Sequence, residues 1–479
     1  MKVLIFAIEK ISEQERASQE SFAKVLRPYQ QKALISHVLE KCSDKDTFFV
    51  VTDNMSSQIQ DYLSVAHPDC QFSYLNSSTK EIKDWLTRLP KEEKILLVSA
   101  DFIIHSDVAS SPSNWIGVCG NSLACALQLD VLQLLWVLDN RPNITLDISL
   151  EETAQAIKDQ FKTEQILMAA TNVSSEESLH NMNSLEAAYD FGKPDEQLYI
   201  FNNRVVKFFE DSRVAQCRVE KSRLVSNIFP EIERHQNSFF SYKYQPGLTL
   251  YRDSSLERFK QLIHWLENNL WRDISNGHVN IQDICKKFYY DKTLHRVQQF
   301  NKKYSNFNIQ IVNSKRIRPL PELFKIFPWK DVFAGHPSFI HGDLQPDNII
   351  FDKEKNKFCL IDWRQDFGGE ISYGDIYYDF AKLWAGINVN YDSIKQSKFS
   401  YLESENSCEI FYEGHEHKEE VMHYLENFIA DRGFSVARVR LLAALIYINM
   451  SALHKNPFDK MLYVLGQQLL ETILSEEKL

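Results

Sequence analysis

The sequence predicts an α/β domain with a mostly parallel sheet, followed by an α+β domain in which a small β-rich lobe precedes a larger helical one. Three observations carry this. Short apolar runs alternate with helical patterns through residues 1–172. A polar stretch, TNVSSEESLHNMNSL, breaks that pattern at 171–185. Beyond it, closely spaced strand patterns give way to helices. The expected organisation is an α/β domain over 1–172, a linker over 173–185, a β-rich lobe over 186–252 and a helical lobe over 253–479.

Taken in order, Val3 to Ile8 reads as a first strand and Lys32 to Glu40 as a helix with Leu34, Ile35, Val38 and Leu39 on one side. TFFVVT (Thr47 to Thr52) is a strand, Ser56 to Leu63 a helix, and KILLVS (Lys94 to Ser99) a strand ending at Ala100-Asp101. This alternation is that of a Rossmann-like, doubly wound sheet. After the linker, Gln197 to Ile200, Arg204 to Phe209 (RVVKFF) and Phe239 to Tyr244 read as antiparallel strands, with a helix from Arg213 to Phe229. Ser255 to about Tyr304 is mostly helical. A strand–loop–strand–turn–strand block follows at 338–363, and helices are expected from there to the end.

With 44% hydrophobic and 25% charged residues in 479, the composition is that of a soluble globular protein of two or three domains. The net charge of -11 gives no reason to expect nucleic acid or an anionic membrane as partner. The N-terminal apolar run meets Glu9 and Lys10 too soon for a signal peptide, and no apolar run reaches the ~20 residues that span a bilayer. The eight cysteines contain no C-x-x-C pair and read as reduced thiols of a cytoplasmic protein. Glycine is scarce: 14 residues, none before Gly117, against a usual ~7%.

The densest chemistry lies in His341-Gly342-Asp343-Leu344-Gln345-Pro346-Asp347-Asn348. An apolar run enters, the chain turns at Gly342, and Asp343 is presented on a loop. Asn348 follows as the chain re-enters a strand, and Phe358-Cys359-Leu360-Ile361 then delivers Asp362. Phosphoryl transfer needs little covalent chemistry from a protein. It needs magnesium on the phosphates, a cation beside them and a carboxylate to orient the attacking hydroxyl. Magnesium takes oxygen ligands, usually only one or two protein carboxylates among them. Asp343 fits the base, and Asn348 and Asp362 fit the metal ligands.

This order of residues resembles the aminoglycoside phosphotransferase and choline kinase superfamily, whose members are similar to protein kinases but phosphorylate small molecules. The resemblance spans roughly residues 186–479 and implies a two-lobed, protein-kinase-like domain using Mg²⁺ and ATP, or another nucleoside triphosphate. Protein kinases usually carry Arg where this chain has Gly342, which favours the small-molecule branch. It also implies that Lys207 lies on the α/β-phosphates, that Glu220 pairs with it, and that Tyr242 and Tyr244 belong to a hinge (Ser241 to Gly247) against which adenine packs. Gly192 is the sole glycine before Lys207 in that lobe, so the phosphate-covering loop departs from a glycine-rich pattern. Downstream, IDWRQDFGG…YGDIYYDFAKL is similar to a pattern associated with phosphotransferases of capsule and lipopolysaccharide synthesis. Asp379 is expected to brace the catalytic loop, while His341, Arg364 and Asp375 are candidates for bracing or substrate contact.

The first domain resembles GT-A sugar-phosphate nucleotidyltransferases more faintly. Ala23-Lys24-Val25-Leu26-Arg27-Pro28 and Lys32 to Leu39 align with the Lys-Pro-Leu stretch and helix of that family, and Ser99-Ala100-Asp101 with the strand end bearing its metal aspartate. Lys24 and Asp101 are the site candidates. Where the family has a glycine-rich triphosphate loop, this chain has Glu9 to Ser21 without a glycine, so a degenerate domain that binds a sugar phosphate or serves as scaffold is expected.

Two other signals are read as structural. His415 and His417 diverge on a helix and are expected at a solvated helix start, not at a metal. Trp363, Tyr377, Tyr378 and Trp384 would suit a quaternary ammonium such as choline, but packing against the loop explains them equally. The expected activity is phosphorylation of a hydroxyl on a small metabolite, a sugar or polyol for surface-glycan synthesis. The rivals are sugar-phosphate or choline-phosphate nucleotidyl transfer by the first domain, and a catalytically silent nucleotide- or sugar-binding protein. Expected partners are the nucleotide and its acceptor; the oligomeric state is open.

Overall fold

The computed structural model describes residues 1–7, 22–43, 46–52, 55–105, 113–119, 123–141, 150–161, 163–172, 195–225, 227–272, 280–305 and 307–476. The glycine-free segment from Glu9 to Ser21, the expected linker and Gly192 lie outside them. The chain divides into two compact units. One takes in Met1–Glu186, Lys193–Ser212 and Glu233–Tyr242, the other Arg213–Ile232 and Lys243–Leu479.

The first unit is built on a seven-stranded sheet. Its order is Glu164–Leu167, Trp115–Cys119, Leu123–Asp130, Lys94–Ser99, Lys2–Phe6, Thr47–Thr52 and Phe72–Asn76. Lys2–Phe6 pairs in parallel with both neighbours. Leu123–Asp130 runs antiparallel to the strands beside it, so the sheet is mixed, with a parallel centre. Both faces are covered. Val3 and Ile5 pack into one core with Ile59 and Leu63 of the helix Ser56–Ala66, while Leu4 and Phe6 pack into another with Leu134 and Val137. That alternation is the period-two signature of a strand buried on both sides.

A four-stranded antiparallel sheet adds to the first of these cores. Its order is Glu196–Phe201, Arg204–Phe209, Phe239–Lys243, Ile232–Gln236. Tyr199, Val206, Phe208 and Phe239 share the core of Val3 and Leu63. Tyr199 Oη donates to the Leu26 carbonyl at 2.6 Å, and Arg204 donates to the Ala66 carbonyl at the C-terminal end of Ser56–Ala66 at 3.0 Å. Cations there also suit the helix dipole.

In the second unit, short sheets frame a helical body. Leu248–Thr249, Ile349–Asp352 and Lys357–Leu360 form one antiparallel sheet. Only Pro337–Ser338 of the expected entering strand pairs, with Gly374–Asp375, and Phe339 and Ile340 are buried but lie outside the strand. The helix Ile376–Asn388 is buried along its whole length and lies against Val436–Ser451, which in turn packs on Phe458–Glu476. The expectation of helices alone after 363 is overturned by a hairpin, Phe399–Ser404 with Ser407–Tyr412. Its burial alternates, with Cys408 and Ile410 inward and Leu402 and Phe411 outward, a strand pattern that the neighbouring charges hide in the sequence.

Candidate active site

Asp343 stands on the loop between Pro337–Ser338 and Ile349–Asp352, and three groups fix that loop from beneath. Asp379, in the buried helix Ile376–Asn388, accepts from the backbone N–H groups of His341 and Gly342, each at 2.8 Å, and from Trp271 Nε1 at 3.2 Å. His341 accepts from Asp343 N through Nδ1 at 3.1 Å, so its Nε2 carries the proton shared with the Ile361 carbonyl at 2.9 Å. Burial pushes the imidazole down to about 3, which keeps it neutral in that tautomer. Lys221 Nζ donates to the carbonyls of Arg364 at 3.0 Å and His341 at 3.4 Å. Burial lowers its ammonium to about 7, against the opposing charge of Asp379.

Gly342 is required by this packing. Its φ is +84°, and a Cβ there would sit 2.8 Å from Arg364 Cβ. The residue beneath the turn is therefore Arg364, and a side chain at 342 has no room.

The Asp343 carboxylate faces Lys382, from the middle of the same buried helix, with Nζ 2.7 Å from Oδ1. Gln345 Nε2 donates to that oxygen at 3.1 Å. Burial works to raise the Asp343 carboxyl, but the Lys382 ammonium and the Gln345 amide outweigh it and hold the group below the usual carboxylate range. Lys382 moves correspondingly: burial lowers it, the Asp343 charge raises it, and the charge prevails. Asp343 is thus ionised, as a base must be.

Asn348 Nδ2 donates to the Asp343 carbonyl at 2.9 Å, which leaves Oδ1 as the amide's remaining donor to a cation. Ile361 N donates to the Asn348 carbonyl at 2.9 Å, so Asp362 is delivered beside it. Asp362 has φ +59°, a left-handed conformation of the kind that persists at functional sites. An amide oxygen and one carboxylate are a hard donor set that fits Mg²⁺ completed by phosphate oxygens. Among the described residues no three His, Cys, Asp or Glu converge as a metal cluster.

The other candidates separate. Arg364 donates its backbone N–H to the His341 carbonyl at 3.0 Å and extends over the Phe288 ring. Asp375 is buried as the N-cap of Ile376–Asn388, bound by Tyr289 Oη, His336 N and Arg438, a structural hub. Lys207 is buried at mid-strand opposite Leu198, and Tyr242 is buried in the same sheet. Glu220 is exposed and accepts from Gln216, and Tyr244 is 42% exposed. In the first unit Lys24 and Asp101 form an ion pair at 3.1 Å. His415 is buried, not solvated: burial lowers its imidazole, and its Nδ1 accepts from His417 N. Trp363, Tyr377, Tyr378 and Trp384 are all buried, with Trp363 Nε1 donating to the Arg218 carbonyl and Trp384 Nε1 to Glu426.

Sequence reasoning did not single out Lys382, Lys221 or Lys292. The available signal was Lys382 itself: a helix apolar on every side rarely carries a lysine unless the charge is paired.

A loop that presents an aspartate paired with Lys382 and braced by the buried Asp379, with Asn348 and Asp362 following it, marks the class as a kinase-like phosphotransferase. Residues 292–400 match the model of the Phosphotransferase enzyme family (APH). No curated protein matches the chain. Solved structures similar to it include the gentamicin complex of APH(2")-IIa, at 17% identity and TM-score 0.34, covering 62% of this chain and 95% of that one. Choline kinase from Cryptosporidium parvum is 12% identical, TM-score 0.34, over 61% and 90% of the two chains. UDP-glucose pyrophosphorylase complexed with UDP-glucose is 14% identical, TM-score 0.29, over 38% and 97%.

The Asp379 carboxyl yields a pH prediction. Burial raises it, the two backbone N–H groups oppose, and it settles at about 6. Above that pH it is ionised and holds both N–H groups. Acidification through about 6 places a proton on one oxygen and loosens the turn. The rate is expected to fall along an acid limb near pH 6 that Asp379→Asn removes, at a lower plateau. A limb unchanged in that variant would assign it to another group. The stability term has the opposite sign: the folded state binds this proton more tightly than the unfolded one, so Asp379's contribution falls as pH rises from about 4 to about 6.

Proposed function

We propose that this protein is an ATP- and Mg²⁺-dependent kinase that phosphorylates a hydroxyl of a small metabolite, a sugar or polyol for capsule or lipopolysaccharide synthesis, in the cytoplasm. The observation that carries it is the ionised Asp343 held on the braced loop by Lys382. In this reading Asp343 accepts the acceptor's hydroxyl proton, and Asn348 and Asp362 hold the metal. Lys207, with Glu220, serves the donor phosphates, and Tyr242 and Tyr244 the base. Bound Mg²⁺ neutralises the charge on the phosphate oxygens. Among the described residues no helix is long and apolar enough to cross a membrane.

Transfer from ATP to a panel of sugars and polyols tests the activity. Asp362→Asn is expected to lower kcat by about 10²-fold and to raise the Mg²⁺ concentration needed for half-maximal rate. Unaltered Mg²⁺ dependence would remove Asp362 as a ligand. A second reading, nucleotidyl transfer by the first unit, is favoured by the juxtaposition of Lys24 and Asp101. It requires pyrophosphate release that depends on Asp101 and survives Asp343→Ala.

A further inference from the structure

Lys292, Arg364 and Lys382 lie close enough to one another for their charges to interact, with Asp343 opposing them. The helical run from Ile281 to Lys303 contains a π-helical turn, Lys286–Asp291, between the helices Ile281–Cys285 and Lys292–Lys303. Such turns are frequent at functional sites because the extra residue re-aims the side chains on either side. Here the turn carries Phe288, and Lys292 follows it. Lys292 Nζ lies 4.0 Å and Arg364 Cζ 5.0 Å from the centroid of that one ring. Phe288 is itself fixed by a stacked contact with Phe367 at 4.1 Å and an edge contact with Tyr378 at 4.9 Å.

Neither cation has an anionic partner of its own. Among the described residues, Lys292 and Arg364 form no ion pair with a carboxylate, and Arg364 Nε is buried without a hydrogen-bond partner. Lys382, the third cation, is already engaged by Asp343. Burial first, then the charges of Arg364, Lys382 and Arg296, hold the Lys292 ammonium well below its ordinary value, with Asp343 as the opposing charge. Two cations gathered on one ring beside a carboxylate already neutralised leave a surplus of positive charge, and a buried guanidinium nitrogen calls for an acceptor.

We propose that the acceptor carries, besides its reacting hydroxyl, an anionic group, phosphate or carboxylate, which Lys292 and Arg364 bind over the Phe288 ring. This rests on the phosphotransferase reading and narrows it: the substrates are hydroxyl-bearing sugar or polyol phosphates or sugar acids, not neutral or cationic compounds. Arg364 supplies the planar donor fork that such oxyanions match, and Lys292 a point charge beside it. The anion anchors the acceptor while Asp343 takes the proton of its hydroxyl.

The test uses the full chain and three probes of similar size: glycerol 3-phosphate, glycerate and glycerol. Calorimetry is run with and without a non-hydrolysable ATP analogue and Mg²⁺. Glycerol 3-phosphate or glycerate is expected to bind in both conditions and glycerol in neither; the tighter anion names phosphate or carboxylate. Lys292→Met should weaken that binding by about tenfold, and Lys292→Arg should restore most of it. Arg364→Gln repeats the test if Lys292→Met does not fold. Displacement of the anion by the ATP analogue would overturn the proposal, by showing that the cluster seats the donor's phosphates. So would equal binding of glycerol, or anion binding indifferent to both variants. Parallel transfer assays separate the two levels. Anion binding without transfer from ATP to any acceptor sinks the kinase reading and leaves the anion site. Transfer to neutral polyols without anion binding does the reverse.

Discussion

Asp343→Asn is expected to lower kcat for phosphoryl transfer by about 10³-fold while leaving KM for the nucleotide nearly unchanged, read as ADP release in a coupled assay. The amide keeps the shape of the carboxylate and can still accept from Gln345 and Lys382, so the loop geometry survives. What it cannot do is take a proton. The loss should therefore fall on the chemical step, with a melting temperature close to that of the unaltered protein. Asp343→Ala, which also releases Lys382, should abolish turnover. Retained transfer in either variant would refute the base assignment. The same variants separate the two units: pyrophosphate release by the first, if it occurs, persists in both.

What the sequence made legible was local. The 338–363 block could be read because its chemistry sits within one strand–loop–strand passage, and Asp343, Asn348 and Asp362 are ordered by spacing alone. The strands Thr47–Thr52, Lys94–Ser99 and Arg204–Phe209 were equally readable, as apolar runs bounded by polar residues. What stayed hidden depends on distant approach. Lys221 reaches the carbonyl of His341 across 120 positions, and lysines on helices are too common to draw notice. Lys292 gains meaning only when the fold sets it and Arg364 over the one Phe288 ring. The hairpin at 399–412 replaces part of the helical run expected after 363; its inward Cys408 and Ile410 alternate with exposed positions, as in a half-buried strand pair. Burial of His415 was missed because flanking charges speak for solvent, and packing decides otherwise.

Lys382→Met should lower kcat and add a loss of activity on the acid side that is separate from the Asp379 limb near pH 6. In the unaltered protein the Lys382 charge outweighs the burial that would raise Asp343. With that charge gone, burial prevails, and the carboxyl rises toward or past the ordinary carboxylate range. The base is then partly protonated at pH values where it was fully ionised, so activity is lost first on the acid side and recovers as pH rises. Because the Asp343 side chain is 36% exposed, solvent screens the pair, and the stability cost is expected to be about 1 kcal/mol, not the several kcal/mol of a fully buried broken pair. Two readouts therefore diverge: a small change in melting temperature beside a displaced pH profile. Lys382→Arg, which keeps the charge, should remove that added loss and leave the Asp379 limb alone. A variant that lost activity equally at every pH would show that Lys382 holds the helix in place and does not set the proton affinity of Asp343.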